Sequence, residues 1–338
     1  MGAYLARRLL LSFAIVLTVS FAAFVGFGLS FDPGFPLLLG NPRGYALVES
    51  HYHLKDPILS RYWQWLTSFV RHGFGSTVST DVGGVPVHFR SSGDPIWPVV
   101  WRSSKITAEL VAAALVLVIA GSALVGTVAA ERRRFRLDVS SRMVAYLAAG
   151  VPTFLIGDLI QRAFVPHVKY SFVVGHGFVG TSTGSWFVIG TPLGGFVDWL
   201  RHMTLPILAL AISLIGVYSR YLRSSMIVAL REPYTTVARA KGLPERRVVV
   251  RHALRNSLIP FTSLLSLEIG GVIGASIAVD AVFLTGGLAS TFLGALSQAD
   301  PFFLTALLVM TAVVVSVFAF LGDALVGLLD PRTRASTA

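Results

Sequence analysis

The chain has 338 residues, of which 54% are hydrophobic and 13% charged, and its mean hydropathy is +0.70. Soluble domains carry roughly 25% charged residues, so a soluble fold of this size is excluded and a bilayer is the expected solvent. The net charge of +11, from 28 basic and 17 acidic residues, does not indicate a nucleic-acid partner. The charges are missing from several long runs and cluster between them, leaving no compact soluble domain. The absence of cysteine excludes disulfides, thiolate metal sites and a cysteine nucleophile. None of the four lysines follows a glycine, so no P-loop is present.

Leu9 to Phe31 is a charge-free run of 23 positions behind Arg7 and Arg8, long enough to cross a hydrocarbon core of about 30 Å. A secretory signal would have a shorter apolar region of about 7–15 residues. Residues 32–104 are polar to mixed, rich in Gly, Pro, Ser and aromatics. The second run, Leu110 to Ala130, ends abruptly at Glu131-Arg132-Arg133-Arg134-Phe135-Arg136. A third span is expected over about 142–163, interrupted by Asp158, with a kink at Gly150-Val151-Pro152. After a glycine-rich loop over about 164–201, the fourth span covers about 203–225. The fifth covers about 257–279 and carries Glu268, and the sixth runs from Pro301 to Gly322.

Six spans place both termini on one side. If that side is the cytoplasm, the N-terminus, residues 131–142, residues 220–256 and the tail hold 2, 5, 9 and 2 of the 28 Lys and Arg residues. This follows the positive-inside tendency. All six tryptophans (Trp63, Trp65, Trp97, Trp101, Trp186 and Trp199) fall in or beside the two large outer loops, consistent with loops lying back on the bilayer surface. The expected organisation is a cytoplasmic turn and first span (1–31), an extracytoplasmic region (32–104), a core of five spans (105–328) containing a cytoplasmic loop (229–256), and a cytoplasmic tail (329–338).

That loop is the most informative segment. From Ala229 it reads as a short helix, a turn at Gly242, and a second helix opened by Pro244 and Glu245. Arg247, Arg251 and Arg255 are spaced four apart and share a face, with Val248 and Val249 beside them. Composition alone leaves two readings open. One is a basic membrane-surface helix that fixes topology. The other is a docking element in which small Ala238, Ala240 and Gly242 admit a partner's close approach.

The pattern Ala238-Arg239-Ala240-Lys241-Gly242, followed by Arg251-His252-Ala253-Leu254-Arg255-Asn256 and Leu258-Ile259-Pro260, resembles the coupling loop of ABC-transporter inner-membrane permeases. The form is that of the B-type permease of bacterial dipeptide and oligopeptide importers. Tyr4 to Leu10, Tyr52 to Pro57, Gly73 to Ser76, Val279 to Phe283 with Gly286-Gly287-Leu288, and Leu328 to Arg332 resemble further family segments. Thr236 and Val237 stand where the generic signature has Glu and Ala, Asp280 stands where Glu is usual, and residues 82–104 do not match.

The resemblance implies an all-α polytopic membrane protein with six transmembrane helices, cytoplasmic termini, the type I ABC importer permease fold and a long extracytoplasmic loop after the first helix. It implies a bacterial inner-membrane location and a non-catalytic chain that binds no cofactor, with ATP and Mg held by partner subunits. The implied partners are a second, C-type permease, two cytoplasmic ATPase subunits or domains, an extracytoplasmic substrate-binding protein or lipoprotein, and a peptide; nickel or another small solute is the alternative cargo. Thr236, Val237, Ala238, Arg239, Ala240, Lys241, Gly242, Arg247 and Arg251 would form the ATPase-coupling surface.

Charges within spans are costly and should face protein, water or a basic partner. Asp158 and Glu268, near mid-span, are candidates either for lining the translocation path or for pairing helices. Gly270 and Gly274 have the spacing that permits close helix packing. Glu109 and Asp323 read as helix-end groups. A function of another class, an intramembrane enzyme using Asp158 and Glu268, has no recognised catalytic motif behind it. His51 and His53 show no metal-ligand pattern, and no metal site is expected.

Overall fold

The computed structural model describes residues 2–31, 49, 54–72, 96–131, 150–164, 192–296 and 301–329, all helical or in turns between helices. The helices are α1 (Gly2–Ser30), α2 (Ile58–His72), α3 (Ile96–Glu131), α4 (Thr153–Phe164), α5 (Pro192–Ala229), α6 (Pro233–Ala240), α7 (Glu245–Arg247), α8 (Arg255–Leu267), α9 (Ile269–Phe283), α10 (Leu288–Leu296) and α11 (Pro301–Leu329). A π-helical stretch, Val248–Leu254, joins α7 to α8. The basic stop after Glu131, residues 142–149 of the expected third span, most of the loop 164–201, most of the region 32–104 and residues 330–338 of the tail lie outside the described residues.

Among the described residues, four helical stretches are long and apolar enough to cross a membrane: Ala6–Ser30, Ile96–Glu131, Trp199–Ala229 and Pro301–Gly327. A fifth is formed if Glu245–Leu267 and Ile269–Phe283 count as one broken span. The protein is therefore an all-α polytopic membrane protein. Where the sequence predicts one continuous fifth span, the chain bends by 62° at Glu268. Of the expected third span, residues 150–163 are described, helical from Thr153 as the 12-residue α4.

Charge-free runs become helices here because a helix satisfies its own N–H and C=O groups where water is absent. The hydroxyls within these runs are absorbed the same way. Thr18, Ser213, Thr262, Ser266 and Thr311 each donate to the carbonyl four residues earlier, at 2.8 to 3.0 Å. Pro192, Pro233 and Pro301 occupy first helical positions, where a missing N–H costs nothing.

The chain divides into two compact units. One contains α3 from Thr107, then α4 to α9, and α11 from Val317. In it α9 packs on α4 and α5, α4 on α5, and α8 on α5. Its interior holds Leu110, Leu210, Leu222, Met226, Phe261, Ile273 and Phe283, all fully buried. Close helix approach sets glycines here, Gly126 and Gly322 among them. A Cβ on Gly126 would stand 3.0 Å from the carbonyl oxygen of Ser219 and 3.1 Å from Arg223 N, and one on Gly322 would stand 2.7 Å from Ser266 Oγ.

The other unit contains α1 from Ala6, α2, α3 to Ile106, α10, and α11 to Ser316. Its packing is aromatic. Phe24 meets Tyr62, Trp65 and Phe302, and Phe27 meets Phe292, with ring centroids 5.6 to 6.2 Å apart. Ser103 Oγ and Thr291 Oγ1 share a hydrogen bond of 2.7 Å.

Candidate coupling segment and mid-span site

The segment after α5 is held by its backbone before any partner is involved. Leu230 N donates to Met226 O at 2.9 Å and Arg231 N to Val228 O at 2.9 Å, closing the last turn of α5. Glu232 is the N-cap of α6, and its backbone carbonyl, not its side chain, receives the next turn. Thr235, fully buried, donates its hydroxyl to Glu232 O at 2.8 Å and to Leu230 O at 3.1 Å.

α6 ends in a left-handed turn at Gly242, φ +77°. Gly242 N donates to Arg239 O at 2.9 Å and Leu243 N to Ala238 O at 3.3 Å, the paired bonds of a Schellman cap. Any side chain at this φ is strained, yet a Cβ there would meet no atom of the described residues within 4 Å. Glycine is thus required by the backbone turn, and the space around it is open.

Across that turn Arg239 grips Glu245 with two bonds, Nη2 to Oε1 at 2.8 Å and Nε to Oε2 at 3.1 Å. Arg239 Nη1 also donates to Leu230 O at 3.3 Å. The hydrogen bond from Arg239 holds the Glu245 carboxyl below the usual carboxylate range, and the same bond raises the Arg239 guanidinium further.

Of the residues expected to meet a partner, Thr236, Val237, Arg239, Ala240, Lys241, Gly242, Arg247 and Arg251 are exposed. Ala238 is not. It is only 5% exposed, on the inward face of α6 with Thr235, so its small side chain serves packing within the chain instead of a partner's approach. Val248, Val249 and Ala253 are buried beneath the arginines, and Arg247, Arg251 and Arg255 all face out. Beside this segment, Ser224, Ser225, Val228, Ala229, Glu232, Tyr234, Asn256, Ser257 and Pro260 line an open cavity of about 500 Å³.

The second region lies at the α8–α9 break. Glu268 ends α8 (φ −88°, ψ 5°) and caps α9 through its carbonyl, which accepts Val272 N at 3.1 Å. It is exposed, as are Leu267, Gly270, Gly271 and Gly274. Added Cβ atoms on Gly270 and Gly274 would meet nothing within 4 Å, and one on Gly271 would lie 3.6 Å from Glu268 Oε2. The Gly270–Gly274 face therefore packs against no part of this chain that is described.

Asp158 is not grouped with Glu268 by any contact. It pairs within α4 with Arg162, Nε to Oδ2 at 2.7 Å. Glu109 accepts the Trp199 indole N–H at 2.8 Å, joining α3 to α5, and Asp323 is buried. Among the described residues no three His, Asp or Glu side chains gather as a metal site.

Two features were not anticipated. Thr235 is one; its signal, a hydroxyl three residues after Glu232 at a helix start, was present in the sequence. The other is a buried latch at the end of α9. Thr285 Oγ1 donates to Asp280 Oδ1, while Leu284 takes a left-handed conformation (φ 51°) and donates its N–H to Asp280 O at 2.8 Å.

Residues 122–335 match the family model described as "Binding-protein-dependent transport system inner membrane component". The chain is 28% identical to the oligopeptide transport system permease protein OppB of Mycobacterium tuberculosis H37Rv, over 99% of this chain and 100% of that protein. It is 26% identical to the dipeptide transport system permease protein DppB of Bacillus subtilis, over 99% and 98%. It is 28% identical to the oligopeptide transport system permease protein AppB of the same organism, over 98% and 99%.

Proposed function

The chain belongs to the family of binding-protein-dependent transport system inner membrane components, and from that premise we propose that it is the permease subunit of an ATP-driven importer of di- or oligopeptides. The observation that carries this reading is the full-length similarity to peptide permeases of both kinds. It is a non-catalytic subunit of the bacterial inner membrane. ATP and Mg are bound by the partner ATPases.

In this reading the chain crosses the membrane six times with both termini in the cytoplasm, which the clustering of 18 of the 28 basic residues supports. A second permease completes the pathway, two ATPases dock from the cytoplasm, and an extracytoplasmic binding protein delivers the substrate. The exposed surface made by Thr236, Val237, Ala240, Lys241, Gly242, Arg247 and Arg251 meets the ATPase. Arg239 shapes that surface from within, and Ala238 anchors it inward. Because α6 is tied to Leu230 at the end of α5 and packs on the π stretch leading into α8, ATPase closure is passed to two spans at once and alternates their access.

Glu268 lines the path, and Gly270 and Gly274 face the second permease. An exposed carboxylate in an apolar run is too costly against lipid, which favours water or protein on that side. Asp158, neutralised by Arg162, pairs within its own helix.

The test is reconstitution with the adjoining transporter subunits and ATP-dependent uptake of labelled di- and oligopeptides. Uptake that requires ATP and the binding protein is expected. Nickel uptake without peptide uptake would move the substrate assignment to another member of the family. A tag within 73–95 should be reachable from outside intact cells and one within 132–142 should not; reversed labelling would overturn the topology.

A further inference from the structure

We propose that α2, in the region read from sequence as an extracytoplasmic loop, is inserted in one leaflet of the bilayer. There it packs against α1 through Tyr62 and Trp65 and presents Leu59 and Trp63 to lipid acyl chains. Three observations carry this.

The first is depth. Tyr62 OH and Ser20 Oγ share a hydrogen bond of 2.7 Å, and the Tyr62 ring meets Phe21 and Phe24 edge-on with centroids 5.1 and 5.6 Å apart. Ser20 lies ten residues before the end of α1, about 15 Å along its axis at 1.5 Å per residue. The end of Tyr62 therefore reaches far into the layer that α1 crosses. Ile58 sits shallower, with its Cδ1 3.6 Å from a Cβ built on Gly28.

The second is the shape of the apolar surface. At 100° per residue, Ile58, Tyr62, Trp65 and Phe69 form one stripe, and Leu59, Trp63 and Leu66 form another directly beside it. Ser60, Gln64 and Thr67 take the remaining side. Tyr62 and Trp65 of the first stripe are used against Phe24 of α1. Leu59 and Trp63 of the second are each 65% exposed. The apolar arc is thus wider than its contact with α1.

The third is continuity. The exposed stripe adjoins α1, itself a span whose apolar window is only 17% buried and whose Phe21, in contact with Tyr62, is also exposed. Lipid that covers α1 extends onto α2 without a boundary. At 15 residues, about 22 Å, α2 is too short to cross a core of about 30 Å. Its length, amphipathic pattern and aromatic content are those of a helix lying in the interface. None of this depends on which solute the transporter carries.

The chain contains no cysteine, so single-cysteine variants Leu59→Cys, Trp63→Cys and Gln64→Cys can be spin-labelled in the full transporter in liposomes. Collision with oxygen, which partitions into lipid, is compared with collision with a water-soluble nickel chelate. Labels at 59 and 63 should favour oxygen severalfold, and the label at 64 should favour nickel. Nickel-favoured labels at 59 and 63 would make α2 an aqueous loop element and overturn the proposal. Labels shielded from both reagents would show that a protein partner covers this face, which would also overturn it. All three positions are exposed, so unlabelled variants should assemble as the parent does; this is checked by co-purification of the partner subunits.

Discussion

Arg239 and Glu245 close on each other across the Gly242 turn through two hydrogen bonds of 3.1 and 2.8 Å, so the most basic segment of the protein contains a charge pair satisfied within the chain. Both side chains are partly exposed, and such a pair contributes only about 0.2–1 kcal/mol. Its value lies in geometry, since it fixes the angle between α6 and α7. Glu245→Gln should leave the protein in the membrane but increase the ATP hydrolysed per solute transported. The Glu245 carboxyl is held below its ordinary range, so the pair's stabilisation is complete above the unfolded carboxylate value near about 4.3. It is lost as pH falls through the lower folded value. Coupling measured at pH 6 and pH 8 should then differ little on account of this pair, and a loss confined to that interval would contradict the assignment.

Gly242 tests the turn and the docking surface separately. Its φ of +77° makes any L side chain cost about 1–2 kcal/mol, with Asn tolerated better than Val. A Cβ there meets no described atom within 4 Å, so the first side-chain atom of either variant is unobstructed. Gly242→Val should insert normally and uncouple ATP hydrolysis from uptake, and Gly242→Asn should retain more uptake. Import by Gly242→Val at the parental rate would remove this turn from the coupling surface.

The glycines in the spans divide into two groups. Gly126→Ala pushes a methyl to 3.0 Å from a backbone oxygen of α5, and overpacking of this kind costs about 1–3 kcal/mol. Reduced thermal stability of the solubilised subunit is expected. Gly270→Ala and Gly274→Ala meet nothing among the described residues, so the subunit's stability should hold while association with the second permease weakens. Equal effects in both groups, read by thermal melts and co-purification, would contradict the assignment of the Gly270–Gly274 face.

Glu268→Gln keeps the shape of the α8–α9 break and removes its charge. If the carboxylate meets the amine of a passing peptide, the loss is that of a charge-assisted hydrogen bond. Uptake of free-amine peptide should then fall roughly tenfold while ATPase assembly is retained. Comparison with N-acetylated peptide gives the control, because its uptake should be nearly unaffected. An identical fall for both peptides would make Glu268 a helix-pairing group instead.

Much of the membrane architecture was legible in the sequence, because a run without charge is a direct record of its solvent. α3, α5 and α11 each contain the expected span and α1 all of it but Phe31, extended by polar turns that hydropathy alone does not assign. Gly242 was legible because a glycine followed by Pro244 and Glu245 marks the end of one helix and the start of another. The break at Glu268 was not, since a single acid in an apolar stretch shows a cost but not how the backbone meets it. Ala238 was misplaced because small residues look alike whether they face a partner or the chain's own core; only the tertiary contact of α6 decides. The π stretch at Val248–Leu254 and the Asp280–Thr285 latch depend on hydrogen-bond partners five residues apart, which periodicity does not encode.

The carbonyl oxygen of Leu230 receives both the Thr235 hydroxyl and the Arg239 guanidinium, so the candidate coupling segment hangs from the end of α5 by an acceptor that belongs to the main chain. No substitution at residue 230 can delete it. Position 230 therefore keeps this hydrogen-bonding role whichever side chain it carries, and the side-chain constraint on these bonds appears instead at 235 and 239, five and nine residues away. A mutational scan of this segment would record tolerance at the anchor itself and intolerance at the two residues that hold it.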